Sequence, residues 1–520
     1  MTILATTAVT GDPTTKRDDA RLDSPHEAYT RMQRRRQKCR DLMEGTEAIR
    51  RNADIYLPRL EGESEEAWKA RIQLGALFNG FARTVKASVG MLAVNDPVLG
   101  EQMPPELVAL ADNVDGAGTA LAVFASQLFE HGILDGHAGI FVDMPDTGTE
   151  RIDAATAAAR GIRPYWILVT ADDEWLPFFE TIGGRKTLTM LIRRARKTVR
   201  SGDFGLRAAV DWWVYTLTEQ GVSFVLYEQD EDRVAPQRAE RFAAGPGMMR
   251  NMTRIPYARF VANGDPTDVE TVPPLEPLAD LNIEHHQTKN GILALQQQAM
   301  IPTPVRIGAV KEAQTNEYPP LVLGPKCVIE APYMQGVSTP VYYLTPDVTV
   351  LDPAEKRLKE TELAMEVMGS AFLASQTRAQ ETAAAKKINA KAQNATLARM
   401  ARAGGDCLAN AMAISGEFLN LTADKVTVPA KFEETSLGPQ EMTAYVSAVR
   451  DAGLPVRILL SAWQEGGRIP ADVDINALAD EMETNMAADA MQQRLEAALN
   501  TPPNAEDADG RDEELYPADA

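Results

Sequence analysis

Two long helical patterns that flank a proline-rich, β-prone segment constrain this fold more than any other feature of the sequence. A helix over 278–300 would be about 35 Å long at about 1.5 Å per residue. The residues that would form its partly apolar seam lie alternately four and three apart: Leu281, His285, Thr288, Ile292, Leu295 and Ala299. The second helix begins at Pro353, whose fixed φ suits a first helical turn, and continues to 368. Residues 302–352 between them are short β-prone pieces broken by prolines. The sequence therefore predicts two long helices around a small β-rich insert.

The residues before this region predict a mixed helix and strand body. Helical periodicity covers 26–51, 65–92 and 121–134. A short apolar run at Gly139–Asp143, bounded by glycine and proline, predicts a buried strand. Further β-prone runs are Tyr165–Val169, Thr187–Arg193, Val210–Thr216 and Val222–Tyr227. A short glycine-ended link joins the last two runs, which predicts a hairpin. The expected fold class is α+β.

The patterns also predict how the chain is divided. The expected segments are 1–25, a disordered arm; 26–272, the α+β body; 273–301, a descending helix; 302–352, the β-rich insert; 353–368, an ascending helix; 369–376, a short loop; 377–430, a long alanine-rich helix; 431–500, a helical C-terminal region; and 501–520, an acidic disordered arm. Adjacent glycines weaken a helix, so Gly404 and Gly405 predict a kink in the long helix.

The formal net charge of −21 restricts the possible partners. A surface that coats nucleic acid non-specifically needs many Lys and Arg side chains to neutralise phosphates, and the overall balance argues against one. Cys39, Cys327 and Cys407 lie far apart, which predicts neither a disulfide framework nor a thiolate metal site. No apolar run approaches the ~20 residues that span a bilayer, and the first residues do not resemble a secretory leader. We expect synthesis in a reducing cytoplasm and no membrane partner.

Catalytic and ligand-binding motifs are missing from the sequence, so we predict no catalytic residue, no cofactor and no metal site. The P-loop, the nucleophile elbow and the His-Glu-x-x-His zinc motif do not occur. His285 and His286 follow Glu284, but neighbours on a helix point about 100° apart and cannot easily share one metal ion. Gly116–Gly118 lacks the third glycine of a dinucleotide-binding loop. Asp143 ends a strand without a catalytic partner, which favours a turn-forming role.

Two basic segments each allow two interpretations. The first is a run on the first predicted helix: Arg31, Arg34, Arg35, Arg36, Lys38 and Arg40. It forms either a solvated helix face or a packed or DNA-facing surface. The second lies at 378–402, where six bases accompany a single acid, Glu381. It provides either solubility and salt bridges to an acidic neighbour, or a lining contacted by phosphates.

The order of the segments resembles the portal proteins of tailed bacteriophages, where they are called wing, stem, clip, stem, tunnel loop, wing helix and crown. Short segments are also similar to one portal-allied family of phage and prophage proteins: Tyr56-Leu57-Pro58-Arg59, Arg83-Thr84-Val85 with Gly90, Gly136–Pro145, Leu278-Ala279-Asp280-Leu281-Asn282 and Leu323-Gly324-Pro325. These matches span about 50 to 420, and their order carries the resemblance. The sequence departs from the family at Asp172–Phe179, which is unusually acidic.

The resemblance implies a closed ring, usually of twelve subunits, at one capsid vertex of the virion, assembled in the host cytoplasm. Double-stranded DNA would be packaged and later ejected through it. Implied partners are the major capsid and scaffolding proteins, the terminase large subunit and a head-to-tail connector; the packaging ATPase would be a separate chain, so this chain is not an enzyme. The implied tunnel loop is Gly369, Ser370, Ala371, Phe372, Leu373, Ala374, Ser375 and Gln376. The DNA-proximal candidates are Arg378, Lys386, Lys387, Lys391 and Arg399.

Three other classes of protein are alternatives to a portal. A scaffolding or other structural phage protein would not need a proline-rich β insert between two stem-like helices. An intracellular enzyme would be expected to gather perturbed carboxylates or histidines in one pocket. A monomeric DNA-binding module is disfavoured by the net charge.

Overall fold

Two units make up the chain, Met1–Lys431 and Phe432–Ala520. The computed structural model describes residues 21–145, 156, 160–230, 233–250, 252–300, 303–306, 341–344, 347–370, 383–430, 447, 455–465, 469, 473–482 and 484. Helices and strands both contribute to the first unit, so the predicted α+β class is confirmed. Within the described residues, no helix is both long and apolar enough to cross a membrane.

Side-chain caps fix where several helices begin. Ser64 Oγ accepts a hydrogen bond from the backbone N–H of Ala67, and Asn79 Oδ1 accepts one from that of Ala82. These bonds satisfy donors that the first turn of a helix leaves unpaired. The described helices are α1 Glu27–Glu44, α2 Thr46–Arg51, α3 Ala53–Tyr56, α4 Glu65–Leu74, α5 Gly80–Leu92, α6 Pro105–Ala111, α7 Leu121–Asp135, α8 Glu276–Met300, α9 Leu351–Ser370, α10 Ala383–Leu419 and α11 Val456–Glu465.

The described strands form four antiparallel sheets. They are β1 Val98–Leu99, β2 His137–Asp143, β3 Tyr165–Thr170, β4 Glu174–Ile182, β5 Arg185–Ser201, β6 Gly205–Thr218, β7 Gly221–Asp230, β8 Arg233–Arg238, β9 Gly247–Met249, β10 Tyr257–Val261, β11 Thr303–Arg306, β12 Val341–Leu344 and β13 Val426–Thr427. One sheet has the order β10-β2-β3, and a larger one has the order β4-β5-β6-β7-β8 with β9 also paired to β7. The pairs β1-β13 and β11-β12 form the remaining two sheets.

Aromatic side chains join these layers into the core of the first unit. Helices α7 and α10 pack on the three-stranded sheet, where the Phe129 and Phe260 ring centroids lie 5.7 Å apart. The buried Trp166 indole on β3 donates to Ser415 Oγ on α10 at 2.9 Å. Phe141 on β2 lies 4.5 Å, centroid to centroid, from a ring on β6, and so ties the two larger sheets together. Such ring pairs contribute about 0.5–1.5 kcal/mol beyond the area they bury.

The glycine pair in α10 has a packing role. The structure assigns one continuous helix across Gly404 and Gly405, where the sequence predicts a kink. A Cβ on Gly404 would lie 2.2 Å from Phe129 Cε1, and one on Gly405 would lie 3.2 Å from the backbone nitrogen of Val428. The glycines therefore let α7 and the β13 region approach the helix closely. A tertiary contact of this kind leaves no trace in local sequence.

Most predicted elements are present, with changed ends. The helix predicted from Pro25 to Arg51 is divided at Gly45, which has φ of 100°. The helix predicted over 65–92 is divided between α4 and α5, and Ala76 and Phe78, which continue its apolar spacing in the sequence, lie in the break and are exposed. The predicted helix 121–134, the predicted buried strand and the β6-β7 hairpin are confirmed by α7, β2 and the β6-β7 pairing.

Strands β4 and β10 are not predicted by the sequence. The acids and Pro177 hide β4, because proline cannot donate to a neighbouring strand. The sheet order places β4 at an edge, where that loss is tolerated. The departure noted at Asp172–Phe179 thus coincides with an edge strand that carries buried Glu174.

The region of the two long helices has the expected elements. Helix α8 matches the predicted 278–300, and α9 begins at Leu351, two residues before Pro353. Strands β11 and β12 pair antiparallel directly after α8 and shortly before α9. Residues 307–340 of the insert lie outside the described residues, as do residues 1–20 of the predicted arm 1–25 and all of the predicted acidic arm 501–520.

The second unit has a small apolar cluster. Val456 and Leu460 on α11 pack with Ala479, which lies in the helical stretch 475–482. Helix α11 and the stretch 475–482 are helical, as predicted for the C-terminal region 431–500, of which the residues outside 447, 455–465, 469, 473–482 and 484 are not described.

Candidate functional site

Helices α8 and α9 form an antiparallel pair held by polar contacts. The His285 ring places Nε2 3.0 Å from Glu362 Oε1, and Arg357 donates to Glu284 Oε1 at 2.7 Å. Nearer the insert, a glutamine on α8, Gln296, contacts a glutamate on α9 at 3.5 Å. Residue numbers therefore rise along α8 as they fall along α9. His285 is 1% exposed, so its contact with Glu362 links a buried position on α8 to the surface of α9.

Buried amides attach α8 to the body. Asn282 is fully buried; its Oδ1 accepts from the N–H of Phe81 and its Nδ2 donates to the carbonyl of Phe78, both at 2.9 Å. Asn282 thus bridges the segment that begins α5. Asn290, eight residues or about two turns further along at 3.6 residues per turn, is also fully buried, and a Cβ on Gly75 would lie 2.9 Å from its Oδ1. Burying the Asn282 amide without its partners would cost about 1–3 kcal/mol.

His286 lies between these two asparagines. It is 2% exposed, and burial lowers its pKa to about 4. The ring is therefore neutral at pH 7, which suits a buried position without an acidic partner. Glu284 and His285 contact α9, whereas the His286 ring contacts Asn290 on its own helix, so the three side chains do not converge on one point. Among the described residues, no group of three His, Cys, Asp or Glu side chains could hold a metal ion.

Helix α9 has one buried and one exposed apolar face. Thr361 and Met365 are buried on the side that faces α8 and α5. Leu363 is 51% exposed and Val367 is 48% exposed, although they follow each other at the four-residue spacing of one helix face. Both side chains are therefore part of the solvent-accessible surface of α9 in the single chain.

The start of α8 binds part of the basic run on α1. Arg35 donates to both Glu276 oxygens, with Nε at 2.9 and 2.8 Å, and Lys38 Nζ lies 2.9 Å from Oε1. Lys38 also contacts Asp280 at 2.5 Å. Burial opposes ionisation of Glu276, but hydrogen bonds from Arg35 and Lys38 hold its pKa below the usual value. For these bases the packed interpretation is correct, and the solvated one is wrong.

Two further arginines of the run are buried deeper. Arg36 is 2% exposed; its guanidinium donates to the carbonyls of Asp135 and Ala171, both at 3.1 Å. Arg40 donates to Asp135 Oδ1 at 2.7 Å and to Asp172 Oδ2 at 2.5 Å. Helix α1 is thereby bonded to the C-terminal end of α7 and to the residues that lead into β4. Arg31 and Arg34 of the same run are exposed, as a solvated helix face expects, so the run divides between the two interpretations.

Glu174 is the centre of a buried ionic cluster that we call the Glu174 cluster, formed by Glu174, His137, Arg259 and Tyr257. Arg259 Nε donates to Oε2 at 2.9 Å, and Nη2 lies 2.9 Å from Oε1. The Tyr257 hydroxyl also donates to Oε2, and His137 Nε2 lies 3.2 Å from Oε1. Burial opposes ionisation, but the Arg259 charge lowers the pKa of Glu174 far below its usual value. The cluster joins β4 to β2 and β10.

His137 in this cluster is neutral. Burial lowers its pKa to about 4, more strongly than the nearby Glu174 charge raises it. Thr271 Oγ1 lies 2.6 Å from Nδ1, and Arg36 Nη2 lies 3.4 Å from the same atom. Because Arg36 can only donate, Nδ1 accepts and the ring proton resides on Nε2, toward Glu174. Glu174, His137 and Arg259 are at most 8% exposed, so the cluster stabilises the body and offers no entry to a substrate.

The structure places only some of the sequence-predicted site residues. Arg378 and the loop residues 371–376 lie outside the described residues. Lys386, Lys387 and Lys391 lie on α10, and their approach to DNA stays a prediction. Arg399 donates to Asn263 Oδ1 at 2.7 Å on the surface of the body.

The first two residues of the predicted loop belong to α9. Helical geometry persists through Ser370, so placing Gly369 and Ser370 in a loop is wrong. Gly369 is buried, and a Cβ there would lie 2.9 Å from Thr84 Oγ1 on α5. Asp143 is the last residue of β2, where its side chain accepts from the N–H of Met144 at 2.9 Å and from the Tyr165 hydroxyl at 3.1 Å, and its turn-forming role stays a prediction.

Comparisons with known proteins give limited similarity. A family model described as a domain of unknown function, DUF4055, matches residues 274–419, which include α8, the insert, α9 and all of α10. No curated protein matches the chain. Among solved structures, it is similar to a chain of the "Virion of native gene transfer agent (GTA) particle", with 12% identity over 73% of this chain and 85% of that chain, at a TM-score of 0.34.

Two further solved structures are similar at the same level. A chain of the "Neck of native GTA particle computed with C12 symmetry" is 13% identical over 72% of this chain and 85% of that one, with a TM-score of 0.35. A chain of the "Neck of empty GTA particle computed with C6 symmetry" is 13% identical over 74% and 89%, with a TM-score of 0.34. With TM-scores below 0.5, we base no argument on these alignments.

Proposed function

We propose that this chain is the portal protein of a tailed phage or a phage-derived particle, a subunit that assembles into a closed ring at one capsid vertex. The observation that carries the proposal is the antiparallel pair of α8 and α9, which encloses the β11-β12 insert. Asn282 attaches α8, and through it α9, to the α+β body. This arrangement has the order of body, stem, clip and stem that the sequence resemblance implies.

The exposed face of α9 supports the ring. Leu363 and Val367 point away from α8 and are about half exposed in the single chain. In a closed ring of identical subunits, the same surface of every copy is covered by a neighbour. Because each side chain is already about half covered, burying the rest would contribute about half of the ~1.5–3 kcal/mol of full burial, and a ring repeats this gain at every interface.

The ring, usually of twelve copies, would conduct double-stranded DNA during packaging and ejection. An acidic chain of net charge −21 suits a conduit, because repulsion keeps phosphates from adhering to the wall. Lys386, Lys387 and Lys391 on α10, together with Arg378 and Arg399, are the proposed DNA-proximal bases. The loop 371–376 that follows α9 would project into the channel.

The proposed partners follow from the same assignment. The terminase large subunit would dock on the insert, 302–352, and a head-to-tail connector would later use that surface. Major capsid and scaffolding proteins would surround the body in the host cytoplasm and then in the virion. The chain itself would catalyse no reaction, since packaging would draw its energy from the ATPase of the motor.

Native mass spectrometry and negative-stain images of one purified sample test this function. We expect rings of roughly a dozen subunits with an open channel. A compact monomer or dimer at every concentration would count against a portal. The double variant Leu363→Glu/Val367→Glu should abolish the rings, because each neighbour would then have to bury two carboxylates.

A matched control distinguishes assembly from folding. Val123 is 54% exposed on α7, in a different part of the body, and Val123→Glu makes the same chemical change there. We expect this control to form rings, and we expect both variants to keep the circular dichroism spectrum of the parent chain. Rings that persist in the α9 double variant would show that this face does not join subunits.

A further inference from the structure

The hairpin of β5 and β6 extends beyond the sheet that contains it. Among the described strands, β4 pairs with β5 only as far as Arg193, and β7 pairs with β6 only from Val210. From the Arg196-Val210 pair, the two strands continue together to the Ser201-Gly205 pair. At about 3.4 Å per residue this projecting ribbon adds about 17 Å. A two-stranded ribbon alone in water is only marginally stable, which favours a packing partner.

The tip of this hairpin is apolar and held in shape. Phe204 is 102% exposed and Leu206 is 77% exposed, the two most exposed large apolar side chains of the described body besides one methionine. The Arg200 guanidinium donates to the carbonyls of Gly202 at 3.1 Å and Asp203 at 2.7 Å. The loop is therefore organised by its own side chain before any partner binds, and it presents the phenyl ring to solvent.

An apolar groove lies at the opposite end of the same sheet. Its volume is about 590 Å³, and Phe178, Ile182, Met190 and Leu217 line it. Two of these side chains are about half exposed, at 48% for Phe178 and 53% for Ile182. A cavity of this size accepts a group as large as one aromatic and one aliphatic side chain.

The charges of the tip and the groove are complementary. Residues 197–207 contain three bases, Lys197, Arg200 and Arg207, and one acid, Asp203. Lys197 and Arg207 also pair with Asp211 and Asp230 of their own chain, so the excess of positive charge at the tip is partly compensated. The groove is lined by the acids Glu180 and Glu219 and by no base. Opposite charges around an apolar contact direct association and fix its register.

The tip cannot reach the groove of its own chain. Met190 lines the groove and Ser201 ends the same continuous strand, eleven residues further on. Paired strands are stiff, and this separation is about 36 Å. A tip that fills the groove must therefore belong to another molecule.

We propose that the β5-β6 tip, with Phe204 and Leu206, inserts into the groove of a second copy of this chain. Two different patches of one chain meet in this contact, so it is heterologous and propagates around a ring or along an open fibre. The inference rests on the proposed ring and names a contact within it that is separate from the α9 face. The body of each subunit would then clasp its neighbour, in addition to the packing of the helices.

Disulfide trapping in the full-length chain tests the contact. Asp203→Cys and Glu219→Cys place thiols beside the tip and the groove at exposed positions and keep Phe204. After copper phenanthroline oxidation, we expect the variant with both added cysteines to give a ladder of linked copies on a non-reducing gel. A variant with only one of the two added cysteines should not give this ladder. Adding Phe204→Asp should remove it, whereas Val94→Asp, at a position 67% exposed outside both patches, should not.

Dilution provides a second measurement. Removing a central apolar anchor weakens association by roughly 10- to 100-fold, so Phe204→Asp rings should dissociate at correspondingly higher concentration. Rings without a ladder in the same preparation would overturn the contact and leave the proposed function standing. Neither rings nor a ladder would overturn both. A ladder without closed rings would support the contact and count against the ring.

Discussion

Replacing Glu174 by glutamine measures how much the Glu174 cluster stabilises the first unit. The neutral amide has the size of the carboxylate but leaves the guanidinium of Arg259, 8% exposed, without a countercharge. Removing one partner of a buried ion pair costs about 3–5 kcal/mol, so we expect the free energy of unfolding to fall by about 4 kcal/mol. Arg259→Met should cost about as much, because it leaves the carboxylate buried with fewer donors.

The double variant Glu174→Gln/Arg259→Met separates the pair from its surroundings. With both charges removed, neither partner is left uncompensated. The loss of unfolding free energy in the double variant should therefore be smaller than the sum of the two single-variant losses by about 2 kcal/mol or more. Urea unfolding of the full chain, followed by tryptophan emission, measures these values. Of the six tryptophans, all but Trp463 lie in the first unit, and Trp175 is adjacent to Glu174 in sequence.

The control for this series is an exposed pair. Glu44 binds Arg51 through both carboxylate oxygens at 2.9 and 2.7 Å on the surface of the body. Exposed pairs contribute little in water, so Glu44→Gln should leave the urea midpoint unchanged within error. A cost below about 1 kcal/mol for Glu174→Gln, or strictly additive costs in the cycle, would refute the argument that the buried pair is coupled.

Two further predictions concern packing and pH. Gly404→Ala would place a Cβ 2.2 Å from the Phe129 ring and should lower the free energy of unfolding in urea by about 1–3 kcal/mol. Gly90→Ala, at a helical glycine with open space around it, should raise the free energy of unfolding by about 0.5–1 kcal/mol. The pKa of His137 is about 4 in the folded chain, against 6.5 unfolded, so only the unfolded chain takes up this proton as the pH falls. Stability should therefore decline by about 3 kcal/mol between pH 6.5 and 4 relative to His137→Gln, and equal slopes for the two chains would contradict this.

Regular elements were predictable where side chains repeat with the period of a helix or a strand. Helix α8 extends only two residues beyond the predicted start, and β2 only two, because apolar spacing and flanking prolines or glycines determine both. The break between α4 and α5 was not predictable, since it depends on Asn290 packing against Gly75 from α8, far along the chain. Long-range contacts of this kind leave the local pattern unchanged.

The polar residues of the candidate site illustrate the limit of composition. Asn282 and Glu174 have sequence surroundings typical of solvated positions, yet their exposed fractions are 0% and 3%. Glu174 is bound by Arg259, 85 residues away in the sequence, and Asn282 is bound by the N–H of Phe81, 201 residues away. The basic run on α1 shows the same effect, because the charge of Arg36 is visible in the sequence and its buried acceptors on α7 and after β3 are not.

The sequence by itself determined the order of the elements, the α+β class, and the proline-flanked insert between two long helices, since these follow from periodicity and backbone restrictions within short windows. Only the tertiary structure decided which faces are covered: it buried the α1 arginines and the Glu174 cluster, and it left Leu363, Val367 and the Phe204 tip exposed. The physical reason is that burial is a property of the assembled layers. A side chain's neighbours, and the surfaces left for another subunit, are fixed only when distant segments pack together.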